Sequence, residues 1–124
     1  MAPKKILVVE DNEDDREILA ARLKRLGDFV ISTAGNGKEA LDVAADARPD
    51  LIFLDLRMPV MDGYQAMEEL RRTEWAGAVP IVVVSAHAGE EDKKRALKIG
   101  CNDFLPKPVT EDASLQNLLR KYFG

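Results

Sequence analysis

Five charged or hydroxyl-bearing side chains stand at or just after the ends of short apolar segments: Glu10, Asp11, Asp55, Ser85 and Lys107. Such segments, rich in valine, isoleucine and leucine, are typical of strands buried in a parallel sheet. Because the carboxyl ends of parallel strands share the edge where ligands bind, we expect these side chains to converge there. Three carboxylates, a hydroxyl and an ammonium would together suit a hard cation and a phosphoryl group.

The elements that must position these residues alternate between strands and helices. The sequence predicts strands at 6–9, 29–33, 51–54, 81–84 and 104–106, helices at 13–26, 38–47, 64–72 and 90–99, and a last helix capped by Thr110. This alternation indicates an α/β fold with a parallel sheet and helices on both faces. The first, third and fourth strands are nearly all apolar, as central strands should be, whereas the second alternates less clearly, which favours an edge position. In the fourth helix, Ala96, Leu97 and Ile99 are the expected core anchors.

Composition excludes several classes of protein. A chain of 124 residues predicts one domain over 1–124, and the last predicted helix ends where the chain ends, so we expect no output domain. A net charge of −4 without a basic patch argues against nucleic acid as a partner, and the apolar segments are too short to span a membrane. The single cysteine, Cys101, can form no internal disulfide, which favours a reducing cytoplasm.

The three acids predict a metal site. Asp55 alone is equally compatible with a helix cap or a solvated loop acid, and adjacent acids such as Glu10 and Asp11 are usually solvated. At one sheet edge, however, the three carboxylates would repel one another unless a cation lay between them. Oxygen ligands with few carboxylates suit Mg²⁺, which keeps several of its waters.

Ser85 and Lys107 extend this site towards phosphate chemistry. A hydroxyl donor and a fixed positive charge are what the oxygens of a transferring phosphoryl group need. Lys107 precedes a proline, and a cis Lys-Pro bond would direct its side chain back over the sheet edge. Taken in isolation, Lys107 would be interpreted as an ordinary surface lysine.

Four segments resemble the receiver domain of two-component response regulators over essentially the whole chain. They are Val9-Glu10-Asp11-Asn12, Leu54-Asp55-Leu56-Arg57-Met58-Pro59-Val60-Met61-Asp62-Gly63, Val84-Ser85-Ala86-His87 and Phe104-Leu105-Pro106-Lys107-Pro108. One such match would be weak evidence, but four in order, each at a predicted strand end, are specific. The resemblance implies a flavodoxin-like, doubly wound sheet of five parallel strands in the order 2-1-3-4-5 with five helices, the order known for chemotaxis regulators.

The resemblance also implies a role for each matched residue. Asp55 corresponds to the phosphoacceptor and Asp11 to a direct Mg²⁺ ligand. Glu10 corresponds to a partner acid that acts mainly through water, and the backbone carbonyl of Arg57 to a further ligand. Ser85 and Lys107 match the hydroxyl and lysine that contact the phosphoryl group. Phe104 matches the aromatic position that, with Ser85, switches on phosphorylation.

A signalling function follows from these roles. The donor would be a phosphohistidine on a histidine kinase or histidine phosphotransfer protein, and the chain would catalyse its own phosphorylation and dephosphorylation without being an enzyme in the usual sense. Output would come from a downstream protein or a homodimer through the face formed by 90–99, 102–106 and 110–122. A stand-alone receiver that relays phosphate or acts as a phosphate sink is the alternative.

Three rival classes share part of the pattern. A flavodoxin-like electron carrier needs a phosphate-binding loop after the first strand, where the acidic sequence from Glu10 to Glu13 would repel phosphate. A haloacid-dehalogenase-like phosphatase needs a second aspartate two residues after the first, where this chain has Arg57. A degenerate receiver would lack one of the acids or the lysine.

Two further side chains can tune the lifetime of a phosphoryl group. Arg57 and His87 each lie two residues after a site residue, Asp55 and Ser85. Arg57 would shield the phosphoryl group, and His87 would orient a hydrolytic water. The alternative is that both point into solvent. Trp75 is expected to pack under a loop.

Overall fold

The computed structural model describes residues 2–86 and 89–124, which form alternating strands and helices. The strands are β1 (Lys4–Val9), β2 (Phe29–Ala34), β3 (Leu51–Leu54), β4 (Ile81–Ser85) and β5 (Asp103–Pro106). The α-helices are α1 (Glu13–Leu26), α2 (Gly37–Ala47), α3 (Gly63–Arg72), α4 (Glu90–Ile99) and α5 (Asp112–Phe123), with a 3₁₀ turn at Glu74–Ala76. In this part of the chain no helix is both long and apolar enough to cross a membrane.

The strands form one parallel sheet in the order β2-β1-β3-β4-β5, as the resemblance implied. The central strands β1, β3 and β4 carry the most apolar segments, because both of their faces are covered by helices. The expected edge position of β2 is confirmed, and β5 forms the other edge. Val9 pairs with Leu54 and Leu54 with Val83, so these strands end level with one another.

Alternating side chains divide the core into two layers. On one face, Leu7, Val9 and Leu54 pack under α2, α3 and α4. On the other face, Val8 and Phe53 pack under α1 and α5. This is the period-two alternation of a strand buried on both sides, and it makes the sheet a rigid support for whatever stands at its ends.

Side-chain caps begin the helices that follow β1, β2 and β3. Asn12 accepts a hydrogen bond from the backbone N–H of Asp15 at 2.9 Å, and Asn36 accepts one from Glu39 at 2.8 Å. Asp62 and Gln65 form a reciprocal capping box at the start of α3. These caps satisfy backbone groups that would otherwise be unpaired beside the carboxyl edge of the sheet.

Two local predictions are wrong. Thr110 does not cap α5: the chain is still extended at Glu111 (φ −114°, ψ 129°), so the helix begins at Asp112 without a side-chain cap in the described residues. Leu97 is not a core anchor, since its side chain is 56% exposed while its neighbour Ala96 is fully buried. Consecutive residues of a helix point about 100° apart, and Ala96 takes the inward direction.

Arg71 fastens the edge of the molecule opposite the predicted site. Its guanidinium donates to the carbonyl oxygens of Gly100 at 2.7 Å and Val79 at 2.8 Å, and to the side-chain oxygen of Asn102 at 3.0 Å. Gly100 has φ +131°, and a Cβ there would lie 2.8 Å from Nε of Arg71. The C-terminal end of α4 is therefore tied to α3 by a close contact that requires glycine.

Other predicted features agree with the structure. Trp75 lies partly buried in the 3₁₀ turn and packs against the core, with the guanidinium carbon of Arg48 4.9 Å from its ring centroid. The Cys101 thiol is free and buried, and burial raises its pKa. The Lys107-Pro108 peptide bond is cis.

Candidate functional site

The carboxyl edge of the sheet brings together the side chains that the sequence singled out. Asp55 follows β3 directly, and its backbone N–H donates to the carbonyl of Val9 at 3.0 Å. Lys107 follows β5, and its N–H donates to the carbonyl of Ser85 at 3.0 Å. Each residue thus extends the hydrogen-bonding ladder by one position, which places Glu10, Asp55, Ser85 and Lys107 at one edge as predicted.

Lys107 joins two buried carboxylates. Its Nζ donates to the Glu10 carboxylate and lies 3.1 Å from Oδ2 of Asp55. Glu10 is only 5% exposed and Asp55 only 6%. One ammonium therefore serves two acids, and when all three groups are ionised the cluster keeps one unbalanced negative charge.

Burial and the shared contacts together raise the pKa of both Glu10 and Lys107. Loss of solvent and the negative charge of Asp55 raise the pKa of Glu10, the hydrogen bond from Lys107 opposes them, and the net result is a pKa of about 7. Burial alone would lower the pKa of Lys107, but its bonds to Glu10 and the charge of Asp55 outweigh burial and raise it. Lys107 therefore keeps its positive charge, and this single charge does not neutralise both carboxylates.

Asp11 completes an acidic group open to solvent. Glu10, Asp11 and Asp55 each offer a carboxylate oxygen, and these oxygens all lie within 4.8 Å of one another. Asp11 is exposed whereas the other two are buried. A set of oxygen donors with one accessible side fits a hard divalent cation that retains several waters.

Arg57 contributes to the site through its backbone and to α4 through its side chain. Its N–H lies 3.3 Å from Oδ1 of Asp55, so it helps to hold the carboxylate. Its guanidinium Nη2 lies 3.6 Å from Oδ1 of Asp92, in the first turn of α4. The side chain is 58% exposed, but it is directed at a specific acid and not simply into solvent.

The predicted switch residues lie on adjacent strands. Ser85 is fully buried at the end of β4. Phe104, on β5, is partly buried against the core beneath α4, and Nζ of Lys93 lies 5.7 Å from its ring centroid. The contact with Lys93 adds a cation–π interaction that the sequence did not suggest. His87 lies outside the described residues.

The loop after β3 approaches its neighbours too closely for most side chains. A Cβ on Gly63 would lie 2.2 Å from the carbonyl oxygen of Asp55, and one on Gly37 would lie 2.3 Å from that of Met61. Between them, Met61 donates to the carbonyl of Pro59 in a tight turn that holds Val60 at φ 68°. A β-branched residue seldom adopts this conformation, so the loop beside Asp55 is strained.

Sequence reasoning missed three residues around the site. Arg16 donates to the backbone carbonyl of Glu10 at 2.9 Å, and Tyr64 donates its hydroxyl hydrogen to Asp92 at 2.8 Å. Tyr64 and Asp92 are 28 positions apart, and no local motif links them. Their proximity follows only from the packing of α3 against α4.

A groove opens beside the cluster between α1 and the segment that follows β5. Its volume is about 450 Å³, and its lining includes Ile18, Leu19, Lys107, Pro108 and Val109. Ile18 is 57% exposed. The groove thus offers apolar surface directly next to the charged cluster.

The family model for the response regulator receiver domain matches residues 6–119. The chain belongs to this family. Among curated relatives, the polar-differentiation response regulator DivK of Brucella anthropi is 31% identical over 122 residues, with 98% of each chain covered. The chain spans about half the length of several other curated relatives, such as the "Probable transcriptional regulator ycf27" of Porphyridium aerugineum, of which it covers 50%.

Solved receiver structures are closely similar. The chemotaxis protein CheY4 of Vibrio cholerae superposes with a TM-score of 0.90 at 30% identity, with 98% of this chain and 100% of that chain covered. The receiver domain of the sensor histidine kinase PA1611 of Pseudomonas aeruginosa PAO1 gives a TM-score of 0.88 at 37% identity, with 98% of each chain covered. The latter was solved with a magnesium ion coordinated in its active site cleft.

Membership of this family decides among the classes that the sequence left open. The chain is a phosphorylation-dependent switch of two-component signalling, and neither a flavodoxin-like electron carrier nor a phosphatase. Receiver domains act with histidine kinases or phosphotransfer partners, and they are signalling switches and not enzymes in the usual sense.

The raised pKa of Glu10 predicts a pH-dependent stability. Folded Glu10 keeps its proton up to about pH 7, whereas its ordinary pKa is 4.5, so the free energy of unfolding falls as pH rises between these values. In EDTA, Glu10→Gln should therefore raise the unfolding free energy by about 1–2 kcal/mol at pH 8 and by nearly nothing at pH 4. Urea unfolding at the two pH values measures this difference.

Glu13→Gln is the matched control, because it removes an exposed acid of the same region. It should change stability little at either pH. An equal gain for Glu10→Gln at pH 4 and pH 8 would show that the burial of its charge is not the cause.

Proposed function

We propose that Asp55 is the phosphoacceptor of this receiver domain. The observation that carries the proposal is the buried Asp55 carboxylate, held by the backbone N–H of Arg57 on one oxygen and by Lys107 Nζ, 3.1 Å away, on the other. A carboxylate fixed in this way is oriented for attack, and the ammonium lies where charge on a phosphoryl group would develop.

The transfer is an in-line displacement at phosphorus. A carboxylate oxygen of Asp55 forms the new P–O bond while the P–N bond of a phosphohistidine breaks, and the histidine of the donor takes up a proton. Glu10, Asp11, Asp55 and the backbone carbonyl of Arg57 would hold Mg²⁺, which supplies neutralisation of charge on the phosphoryl oxygens. Lys107 moves from sharing two carboxylates to binding those oxygens. The same site would catalyse hydrolysis of the acyl phosphate.

The donor would be a histidine kinase or a histidine phosphotransfer protein. The apolar groove beside Lys107 supports this proposal, because a docked protein surface there would hold its phosphohistidine over Asp55 and exclude water. The lone, buried Cys101 favours a reducing compartment, and we place the reaction in the cytoplasm.

Output would follow from the new charge on Asp55. The acyl phosphate carries roughly two negative charges, and the Ser85 hydroxyl would bind its oxygens and draw in the loop that leads to α4. Phe104 would then pack into the space vacated. The face formed by 90–99, 102–106 and 110–122 would present this change to a downstream protein or a second copy of the chain. Phosphate relay or storage by a stand-alone receiver is the alternative output.

The acceptor is tested by phosphorylation with acetyl phosphate and Mg²⁺. Intact-mass spectrometry should find one phosphoryl group on the parent and little or none on Asp55→Asn, because the amide is a poor nucleophile. Lys107→Ala should stay folded but gain the group slowly, since it loses charge stabilisation. Equal labelling of Asp55→Asn and the parent would refute this assignment.

The metal site predicts roughly millimolar affinity for Mg²⁺, because few protein ligands and several retained waters make a weak site. A titration followed by NMR or by calorimetry should show binding lost in Asp11→Asn. Asp14→Asn makes the same change of charge at an exposed position of the same loop–helix junction, and it should bind like the parent. If the two variants bind Mg²⁺ equally, Asp11 is not a ligand.

Replacing Phe104 should separate the phosphorylation of Asp55 from the structural change that follows it. Phe104→Ala should keep phosphorylation of Asp55 but reduce the difference that phosphorylation makes to amide exchange across 89–107, because the ring no longer couples the strand to α4. Val30→Ala, on the opposite edge strand, is the control and should leave that difference intact. Exchange that changes only near Asp55 in the parent would contradict this output route.

A further inference from the structure

The side chain of Arg57 connects the phosphoacceptor loop to the first turn of α4. Its backbone N–H contacts Oδ1 of Asp55 at 3.3 Å, so its Cα is fixed beside the acceptor. Its guanidinium pairs with Asp92, where Nη2 lies 3.6 Å from Oδ1. One residue therefore touches both the reacting group and the helix whose movement would carry the signal.

Asp92 is the fixed partner in this ion pair. The same oxygen accepts a hydrogen bond from the Tyr64 hydroxyl at 2.8 Å, and Tyr64 is only 3% exposed. The guanidinium carbon of Arg95 lies 3.9 Å from the centroid of the Tyr64 ring. Burial, followed by the bond to Asp92, raises the pKa of Tyr64 to about 12, so its hydroxyl remains a donor. Asp92, in the first turn of α4, is thus tied to Tyr64 of α3, whereas the Arg57 side chain is 58% exposed.

A phosphoryl group on Asp55 would compete with Asp92 for this guanidinium. The present pair is long, at 3.6 Å, and uses one carboxylate oxygen that Tyr64 already occupies. A phosphoryl group offers three oxygens and roughly two negative charges, and arginine binds such oxygens with two parallel hydrogen bonds. The phosphoryl group would form on the carboxylate that the Arg57 backbone already contacts, so the competition is local.

We propose that Asp92 is a positioning residue for Arg57. It holds the guanidinium at the start of α4 while Asp55 is unmodified, and it yields the guanidinium to the phosphoryl group once this has formed. The inference rests on the proposed phosphorylation of Asp55. Arg57 bound to the phosphoryl oxygens obstructs the approach of water, so Asp92 shortens the lifetime of the acyl phosphate by competing for Arg57. The departure of Arg57 also removes one tie between the β3 loop and α4.

The test compares decay of the phosphorylated protein in a double-mutant cycle. Asp92→Asn keeps an oxygen for the Tyr64 hydroxyl but removes the charge that attracts Arg57. Because partly exposed ion pairs are modest in strength, we expect its half-life to lengthen about twofold to fivefold. Arg57→Ala should shorten the half-life, and adding Asp92→Asn to Arg57→Ala should change nothing further. Asp92→Glu should restore decay towards that of the parent.

Glu91→Gln is the matched control, since it removes an exposed carboxylate from the same turn of α4 and should decay like the parent. Intact-mass spectrometry before decay reports the yield of phosphorylation. Asp55→Asn measured in parallel shows whether this yield depends on Asp55, so a failure of Asp55 as acceptor is distinguished from a changed lifetime. The proposal is overturned if Asp92→Asn and Glu91→Gln decay alike, or if Asp92→Asn has the same effect with and without Arg57.

Discussion

A single lysine shared by two buried carboxylates is the interaction on which the functional end of this molecule depends. Glu10 follows β1, Asp55 follows β3 and Lys107 follows β5, so the parallel sheet itself delivers the three charges to one place. Without Lys107, two carboxylates that are less than a tenth exposed would face each other across the strand ends. With Lys107 in place, one negative charge remains unbalanced at this edge. That charge favours the binding of a cation, and the cation together with Lys107 favours the binding of a phosphoryl group. Repulsion between the two carboxylates lowers the stability of the folded protein, as is common where residues are arranged for function.

The remainder of the fold supplies rigidity where the site needs it. β1, β3 and β4 are buried on both faces. A capped helix begins soon after β1, and another begins at Gly63 after the loop that follows β3. The β3 loop is held by glycine contacts too close for any side chain and accepts an unfavourable conformation at Val60. By contrast α4 has a single fully buried residue, Ala96. A rigid acceptor next to a loosely packed helix is the physical arrangement in which a small local event can have a larger effect elsewhere.

The sequence predicted those parts of the fold and the site that have a local cause. Apolar strands ending in polar residues indicated the sheet, its functional edge and five of its side chains, and the resemblance supplied the strand order. Thr110 and Leu97 were misjudged because a cap and a core position each depend on the helix phase to within one residue. The link from Arg57 through Asp92 to Tyr64 had no local signal, because it depends on how α3 and α4 pack. Long-range polar contacts of this kind require coordinates.

The hydrogen bonds of Arg71 hold the C-terminal end of α4 more firmly than its N-terminal end is held. The end of the helix at Gly100 is bonded to the half-buried guanidinium of Arg71, and the positive φ of that glycine disfavours other residues there. The end at Glu90 has no side-chain cap in the described residues and is connected to α3 through Asp92. A displacement that begins at Ser85 would therefore rotate α4 about its C-terminal end at Gly100. Residues nearer to the site would move farther than residues near Gly100. The surface most altered by signalling would lie near the first turn of α4, while its last turn would stay in register with β5.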